Sequence, residues 1–176
     1  YVLKEGDLLK IDAGVTYKWY IADSAVCVII GWSKTNPQAA HLVEATKWAL
    51  DAGLQFIGPG RSLYDFGYAV EQYVKSRNCT VIKSLTGHGV GQSLREPPYI
   101  YNWPHPDTRD QFFKPGMVIA LEPITAMWSN GYMEKPKINS WNLYTQQGDL
   151  GAQREYTVLI TEQGYEVLAG VVDYDG

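Results

Sequence analysis

Acidic side chains interrupt segments of this chain that are otherwise apolar and rich in β-branched residues. The segments Leu8–Val15 and Trp19–Ile30 read as two consecutive strands, and each contains one aspartate, Asp12 or Asp23. A carboxylate inside a buried strand is costly unless it is paired or bound to a cation. The fold must therefore compensate these charges.

A turn centred between Tyr17 and Lys18 is predicted to place Asp12 directly opposite Asp23. Their Cβ atoms would then lie about 4.5–5.5 Å apart on one face of the hairpin. Like charges opposed in this way destabilise a sheet, and a divalent cation would compensate them. The alternative is that each aspartate lies near a strand end in solvent, as most carboxylates do.

Two glutamates repeat the pattern later in the chain. Glu122 is the one charged residue of Met117–Thr125, and Glu155 follows Arg154 in the stretch Ala152–Thr161. An ion pair with Arg154 is the simple alternative for Glu155, although neighbouring side chains of a strand point to opposite faces. Both glutamates are candidate metal ligands.

His88 lies in Thr86–Gly91, where glycines at every second position leave the backbone bare around one imidazole. A lone histidine is more often a structural or surface residue than a ligand, but the glycines favour close approach by a substrate or an ion. His88 therefore joins the candidate ligands, whereas His41 and His105 receive no role.

Asp12, Asp23, His88, Glu122 and Glu155 together form an oxygen-rich donor set. Such a set suits Mn²⁺, Fe²⁺, Co²⁺ or Zn²⁺ better than a thiolate-based structural zinc site. Five ligands are too many for one tetrahedral ion. Two divalent metal ions about 3.5–4 Å apart, bridged by carboxylates and a water, would use them all.

The remaining pattern predicts two helices followed by short strands in one α+β domain. The first helix is expected over Asn36–Gly53, with Asn36 as N-cap, and the second begins at Ser62. Further strands are predicted at Thr80–Lys83, Pro98–Tyr101, Met117–Thr125, Ile138–Tyr144, Gln153–Thr161 and Tyr165–Leu168. The start at Tyr1 indicates a piece of a longer protein or a processed chain.

Charge and composition argue against several classes of protein. The chain has 15 basic and 19 acidic residues, a net charge of −4, and so lacks the basic surface typical of nucleic-acid or anionic-membrane partners. Cys27 and Cys79 form no CxxC pair, which favours a reducing compartment. No apolar stretch approaches the roughly 20 residues of a membrane span, and no signal peptide precedes the first motif. We expect a cytoplasmic protein.

The ligand residues lie in segments that match, in order, the motifs of a known family. These segments are Glu5-Gly6-Asp7, Ile11–Val15, Ala22-Asp23-Ser24, Thr86–Gly91, Lys114–Met117, Leu121-Glu122-Pro123 and Ala152–Thr161. They resemble the type I methionine aminopeptidases of the M24 metallopeptidase family and cover essentially the whole chain. The resemblance implies the pita-bread fold, an antiparallel curved sheet with helices on its outer face. It also implies that residues 1–176 form a single catalytic domain, incomplete on its N-terminal side.

The resemblance further implies a role for each ligand. Asp23 and Glu155 would bridge both metals, Asp12 would complete one metal, and His88 and Glu122 would complete the other. A bridging water would attack the peptide carbonyl, with Glu122 as general base and acid and His88 as the second catalytic residue. The implied substrates are N-terminal methionyl peptides or nascent chains, at the ribosome.

The resemblance implies two substrate contacts and shows one further departure from the family pattern. Arg95 stands where the family usually has a histidine that hydrogen-bonds the substrate carbonyl; it could donate instead, but is longer and permanently charged. Trp141 occupies the place of a tryptophan that lines the methionine pocket, with a core aromatic as the alternative. Tyr156 replaces a second usual histidine. Arg95 and Trp141 are therefore the candidate substrate-binding residues.

Two other activities share these motifs. A proline-specific aminopeptidase or dipeptidase has the same fold and ligands, although the sequence around Glu155 is more like that of the methionine enzymes. A non-catalytic pita-bread module that binds protein or RNA is the second alternative. Such modules commonly lose metal ligands, whereas all five are present here, and the net negative charge disfavours RNA.

Overall fold

The computed structural model describes residues 1–135 and 139–171. For residues 135 and 139–141 it describes the backbone alone. Its α-helices are α1 (Pro37–Leu54) and α2 (Leu63–Ser76). Its strands are β1 (Leu8–Tyr17), β2 (Tyr20–Ile29), β3 (Thr80–Val81), β4 (Gly87–Gly89), β5 (Glu96–Ile100), β6 (Val118–Leu121), β7 (Ile124–Ala126), β8 (Tyr132–Lys135), β9 (Asn139–Thr145), β10 (Gly151–Gln153), β11 (Tyr156–Ile160) and β12 (Tyr165–Ala169). Neither α-helix has the length and apolar character that a membrane crossing requires.

The hairpin of β1 and β2 turns one residue later than predicted. Lys18 and Trp19 form the turn with φ values of 45° and 75°, so that Tyr17 pairs with Tyr20. Two successive residues with positive φ match the right-handed twist of the flanking strands, but the usual signal for them is Asn-Gly or Asp-Gly. The pair Lys18-Trp19 carries no such signal, so the sequence did not reveal the position of the turn.

This register makes the predicted direct pairing of the two aspartates wrong. Asp12 lies opposite Ala25, and Asp23 lies opposite Gly14. Because the register differs from the prediction by two residues, both aspartates still point to one face, as diagonal neighbours. The hairpin therefore brings the two carboxylates to the same side without opposing them directly.

Both helices begin where the sequence predicted. The Asn36 side chain accepts a hydrogen bond of 3.0 Å from the backbone N–H of Ala39, and Ser62 accepts one of 3.1 Å from that of Tyr64. The first helix continues through Gly53 to Leu54 instead of ending before this glycine. Gly53 is buried against α2, which explains why it lies inside the helix and not beyond its end.

The strands form two larger antiparallel sheets and two hairpins. The five-stranded sheet has the order β12-β11-β6-β4-β5 and the three-stranded sheet the order β10-β7-β3, while β1 pairs with β2 and β8 with β9. Strands β4 and β8 were not predicted. The glycines of β4 have little intrinsic preference for a strand. The first residue of the predicted strand Ile138–Tyr144 lies outside the described residues.

Two predicted long strands each divide at a candidate ligand. Met117–Thr125 divides into β6 and β7 at Glu122 and Pro123, and Gln153–Thr161 divides into β10 and β11 around Arg154 and Glu155. In each case one part joins the five-stranded sheet and the other joins the three-stranded sheet. The two glutamates therefore lie side by side where paired strands pass from one sheet to the other.

The helices and sheets enclose one apolar core. Helix α1 contacts β2, β7 and β10, and α2 contacts α1 and β3. The largest fully buried apolar side chains are Phe66, Phe113, Leu42, Leu50, Leu63, Ile100, Ile119, Leu121, Ile160, Val70 and Val74. This core holds the sheets at the positions from which the candidate ligands project.

Gly53→Ala is expected to destabilise the protein, against the usual effect of alanine in a helix. A glycine-to-alanine change inside a helix ordinarily stabilises by roughly 0.5–1 kcal/mol. Here the new Cβ would lie 2.6 Å from Cε2 of Phe66 and 2.8 Å from Cγ2 of Val70. Overpacking should lower the free energy of unfolding by about 1–3 kcal/mol, measured by urea denaturation.

The matched control repeats Gly53→Ala in a Phe66→Leu background, where the ring is absent. The additional loss caused by alanine should be smaller in that background. A gain in stability from Gly53→Ala in the wild-type chain would contradict the close packing of the two helices.

Candidate metal centre

Four of the five candidate ligands meet in the interior. Asp23 projects from β2 and His88 from β4, while Glu122 directly follows β6 and Glu155 directly precedes β11. All four are buried, with exposed fractions between 1% and 7%. Ligand atoms of Asp23, His88 and Glu155 lie within 4.8 Å of one another, and Oε1 of Glu122 lies 3.2 Å from Nε2 of His88. The predicted convergence of these side chains is thus present in the structure.

His88 is oriented by the backbone of its own strand. Its Nδ1 lies 2.9 Å from the carbonyl oxygen of Gly89, so a proton on Nδ1 leaves Nε2 free to face the carboxylates. A Cβ on Gly87 or Gly89 would meet carbonyl oxygens of the neighbouring strands. These two glycines therefore admit the flanking strands, and the close approach of a substrate or an ion to this segment stays a prediction.

Asp23 is fixed through its backbone by one threonine. The N–H of Asp23 donates to Oγ1 of Thr157 over 2.9 Å, and that hydroxyl donates to the carbonyl oxygen of Asp23 over 2.7 Å. A further hydrogen bond joins the same two segments: the N–H of Glu155 donates to the carbonyl oxygen of Ala25 over 2.9 Å. These bonds hold β2 and β11 together at the positions of two ligands.

Burial, and after it the charges of neighbouring carboxylates, raise the pKa of the three buried acidic side chains. Burial, and after it the charges of Glu122, Asp23 and Asp12, raise the pKa of Glu155 to about 9. Burial is also the largest cause of the raised pKa of Glu122 and of Asp23, and His88 opposes it in both. Oε1 of Glu155 is buried with no hydrogen-bond partner among the described residues. A bound cation would remove this repulsion and give that oxygen a partner, so the site fits divalent metal ions.

The pKa of His88 is also raised, which in an imidazole favours the charged form. Burial alone disfavours its protonated form, but the hydrogen bonds to Glu122 and to the carbonyl of Gly89 outweigh burial and raise its pKa. Without a metal ion, a proton shared between His88 and Glu122 partly neutralises the cluster.

Gln153 supports two ligands and was missed in the sequence. Its Nε2 donates to Oε2 of Glu122 over 3.0 Å and lies 3.4 Å from Oε2 of Glu155. Its position two residues before Glu155 was the available signal, because alternate residues of an extended strand share a face. A neutral amide here donates hydrogen bonds to the carboxylates without adding charge.

Asp12 lies apart from the buried group. Its side chain is 40% exposed and forms a 3.0 Å ion pair with Nζ of Lys10, which also donates to Oε1 of Gln153 over 2.8 Å. Its charge nevertheless contributes to the raised pKa of both Asp23 and Glu155. Asp12 therefore lies at the exposed edge of the metal centre, in an ion pair with Lys10.

The comparisons with known proteins identify the family. Residues 1–162 match the model of metallopeptidase family M24. The chain belongs to this family. Membership in family M24 implies divalent-metal binding, and the described residues that offer closely spaced ligand atoms are Asp23, His88 and Glu155.

Among relatives of this M24 chain is methionine aminopeptidase 1 of Bacillus subtilis strain 168, 37% identical over 172 residues, which are 97% of this chain and 66% of the relative. A crystal structure of methionine aminopeptidase from Thermotoga maritima has a TM-score of 0.88 at 34% identity, over 97% of this chain and 66% of that one. A prolidase from Pyrococcus furiosus has a TM-score of 0.74 at 24% identity, over 97% and 43% of the two chains, and shares the fold. The M24 chain thus spans just under two thirds of the methionine aminopeptidases it matches. These likenesses confirm the family resemblance and the α+β pita-bread fold.

A cavity of about 670 Å³ adjoins the buried group, and the candidate ligands that line it are Asp12 and Glu122. Glu122, Gln153 and Arg95 line it, and Arg95 is exposed. The side chain of Trp141 lies outside the described residues, so its predicted role in the pocket stays a prediction. Arg95 is therefore the predicted substrate-binding residue that the structure places at the cavity.

Tyr156 and Arg154 pair with each other beside the centre. Nη2 of Arg154 donates to the hydroxyl of Tyr156 over 3.0 Å and to the carbonyl oxygen of Val171 over 2.7 Å. Arg154 thus anchors the chain after β12, as expected if its side chain points away from that of Glu155.

The stability of the metal-free protein should fall as pH rises. Folded Glu155 keeps its proton up to a pKa of about 9, whereas unfolded glutamate loses it near 4.5. The folded state therefore binds more protons between these values, and the free energy of unfolding in chelator should decrease from pH 5 to 9. Glu155→Gln should raise that free energy at pH 8 by about 1–3 kcal/mol and flatten the pH dependence.

Urea denaturation in chelator at several pH values measures this effect, with the exposed Glu162→Gln as the matched control. The control should follow the wild-type profile. A Glu155→Gln protein less stable than the wild type throughout this range would contradict the buried repulsion.

Proposed function

We propose that this chain carries the site of a metal-dependent aminopeptidase that removes the N-terminal methionine from peptides and nascent proteins. The observation that carries this proposal is the buried group of three carboxylates and His88, of which Glu122 lines a cavity. The methionine aminopeptidases at 34–37% identity support the choice of substrate.

Two divalent ions of Mn, Fe, Co or Zn are the cofactors that this donor set suits. Asp23, Glu155, His88 and Glu122 would hold them, with Asp12 as the fifth ligand once its carboxylate leaves Lys10. When bound, the ions supply the Lewis acidity that activates a water and binds the substrate's free α-amine.

Glu122 is the proposed proton carrier. Burial raises its pKa, and its two oxygens contact different partners, His88 at 3.2 Å and Gln153 at 3.0 Å. It accepts a proton from the attacking water and passes it to the leaving amine. His88 is the second catalytic residue, because Nε2 faces Glu122 while Nδ1 is held by Gly89.

Metal reconstitution tests the ligands first. The wild-type chain should retain two equivalents of Mn²⁺ or Co²⁺ after dialysis, measured by elemental analysis, because its carboxylates gain a compensating charge. Glu155→Ala should lose this occupancy, since Glu155 is the most buried carboxylate of the group. The exposed Glu162→Ala should bind like the wild type. Unchanged occupancy in Glu155→Ala would contradict the assignment.

Release of amino acids from peptides then tests the activity. The metal-loaded chain should release methionine from Met-Ala-Ser and leave Ala-Pro-Ala intact. Cleavage of Ala-Pro-Ala alone would identify a proline-specific aminopeptidase of the same fold. Full metal occupancy with cleavage of neither peptide would contradict an aminopeptidase.

A further inference from the structure

Lys10 places an ammonium group beside the most exposed of the five candidate ligands. Lys10 and Asp12 are two residues apart on β1, so their side chains share one face of the hairpin. Nζ of Lys10 lies 3.0 Å from Oδ2 of Asp12, and the two side chains are 50% and 40% exposed. The charge of Asp12 is therefore compensated by a cation that belongs to the chain itself.

A second contact fixes this ammonium at the edge of the metal centre. Nζ of Lys10 also donates to Oε1 of Gln153 over 2.8 Å, and Gln153 is buried. The backbone N–H of Gln153 in turn donates to Sγ of Cys27 over 3.3 Å. Cys27 is the residue that pairs with Lys10 across the hairpin. The fold thus holds β10 beside the hairpin at the level of Lys10.

Gln153 connects the ammonium group with the buried carboxylates. Its Nε2 donates to Oε2 of Glu122 over 3.0 Å and lies 3.4 Å from Oε2 of Glu155. An ammonium group only donates hydrogen bonds, so the amide presents its oxygen to Lys10 and its nitrogen to the carboxylates. A continuous series of polar contacts therefore runs from Asp12 through Lys10 and Gln153 to the two glutamates.

Lys10 and a divalent metal ion would compete for the same carboxylate. The ammonium group and the ion have charges of the same sign and would repel each other if both contacted Asp12. Because both partners of the ion pair are partly exposed, breaking it changes an equilibrium constant by at most about a factor of five. A metal ion can therefore displace Lys10, and the binding of that ion is weakened by about this factor.

We propose that Lys10 is a positioning residue that competes with a divalent metal ion for Asp12; this rests on the proposed two-metal centre. Without metal, Lys10 compensates the charge of Asp12 and stabilises the folded chain. When the ion that Asp12 completes is bound, the ammonium group leaves the carboxylate for solvent on its flexible stem. In the described part of the chain Lys10 reaches Glu122 only through Gln153, so it weakens one of the two metal equivalents and spares the other.

Calorimetric titration of the chelator-treated chain with Mn²⁺ tests this competition. Asp12→Asn identifies the equivalent that depends on Asp12, because that equivalent should be weakened or lost. Lys10→Met removes the charge and keeps the apolar stem, so it should bind this equivalent about fivefold more tightly than the wild type and leave the other unchanged. Lys10→Arg keeps the charge and should bind like the wild type. The matched control is Lys114→Met, which changes an exposed lysine outside the cavity lining and should also bind like the wild type.

Urea denaturation in chelator provides a second readout, with the opposite sign. Lys10→Met should lower the free energy of unfolding of the metal-free chain, because Asp12 loses its partner, although the same change tightens metal binding. Gln153 should keep its orientation in this variant, since its Nε2 still donates to Glu122. A lysine with a purely structural role would lower stability and weaken both metal equivalents together. That combination would overturn the proposal.

The titrations also separate this proposal from the proposed function. Two equivalents in the wild type, with unchanged affinity of the Asp12-dependent equivalent in Lys10→Met, would overturn the competition and leave the metal centre. Tighter binding in Lys10→Met without cleavage of any peptide would leave the competition and remove the aminopeptidase. A second equivalent that binds only in Lys10→Met would support the competition. If neither protein binds a second equivalent, the two-metal centre and the competition both fail.

Discussion

Repulsion among buried carboxylates is the constraint on which this structure depends. Asp23, Glu122 and Glu155 approach one another from three strands, and burial, together with the charge of at least one neighbouring carboxylate, raises the pKa of each. The core and the sheet hydrogen bonds hold these carboxylates together, and their repulsion lowers the free energy of unfolding of the metal-free protein. A bound divalent cation removes the repulsion, and the free energy recovered contributes to metal binding. Stability without metal and affinity for metal are therefore opposed properties of the same side chains.

The division of the strands explains how ordinary sheet structure creates this site. Glu122 and Glu155 lie where β6 continues into β7 and β10 into β11, between the five-stranded and the three-stranded sheet. A carboxylate in the middle of a continuous buried strand would point into an apolar layer. At the junction between two sheets it can instead meet His88 and Gln153 across a shared cavity.

Much of the fold and of the candidate site was predictable from residue patterns, and the exceptions have physical causes. The caps at Asn36 and Ser62 are local signals and were confirmed. The hairpin register was predicted wrongly because Lys18-Trp19 adopts positive φ without a glycine or asparagine. In the site, an ionised residue in an apolar strand identified Glu122 and Glu155, whereas Gln153 was missed because a neutral amide carries no such penalty. The exposure of Asp12 and its pairing with Lys10 depend on tertiary contacts that spacing alone does not encode.

Anomalous X-ray diffraction from crystals of the cobalt-loaded chain would locate the bound metal ions. We expect two anomalous peaks between the side chains of Asp23, His88, Glu122 and Glu155, with Nε2 of His88 directed at one of them. Peaks only at surface carboxylates, or an empty centre in crystals grown with saturating cobalt, would contradict it.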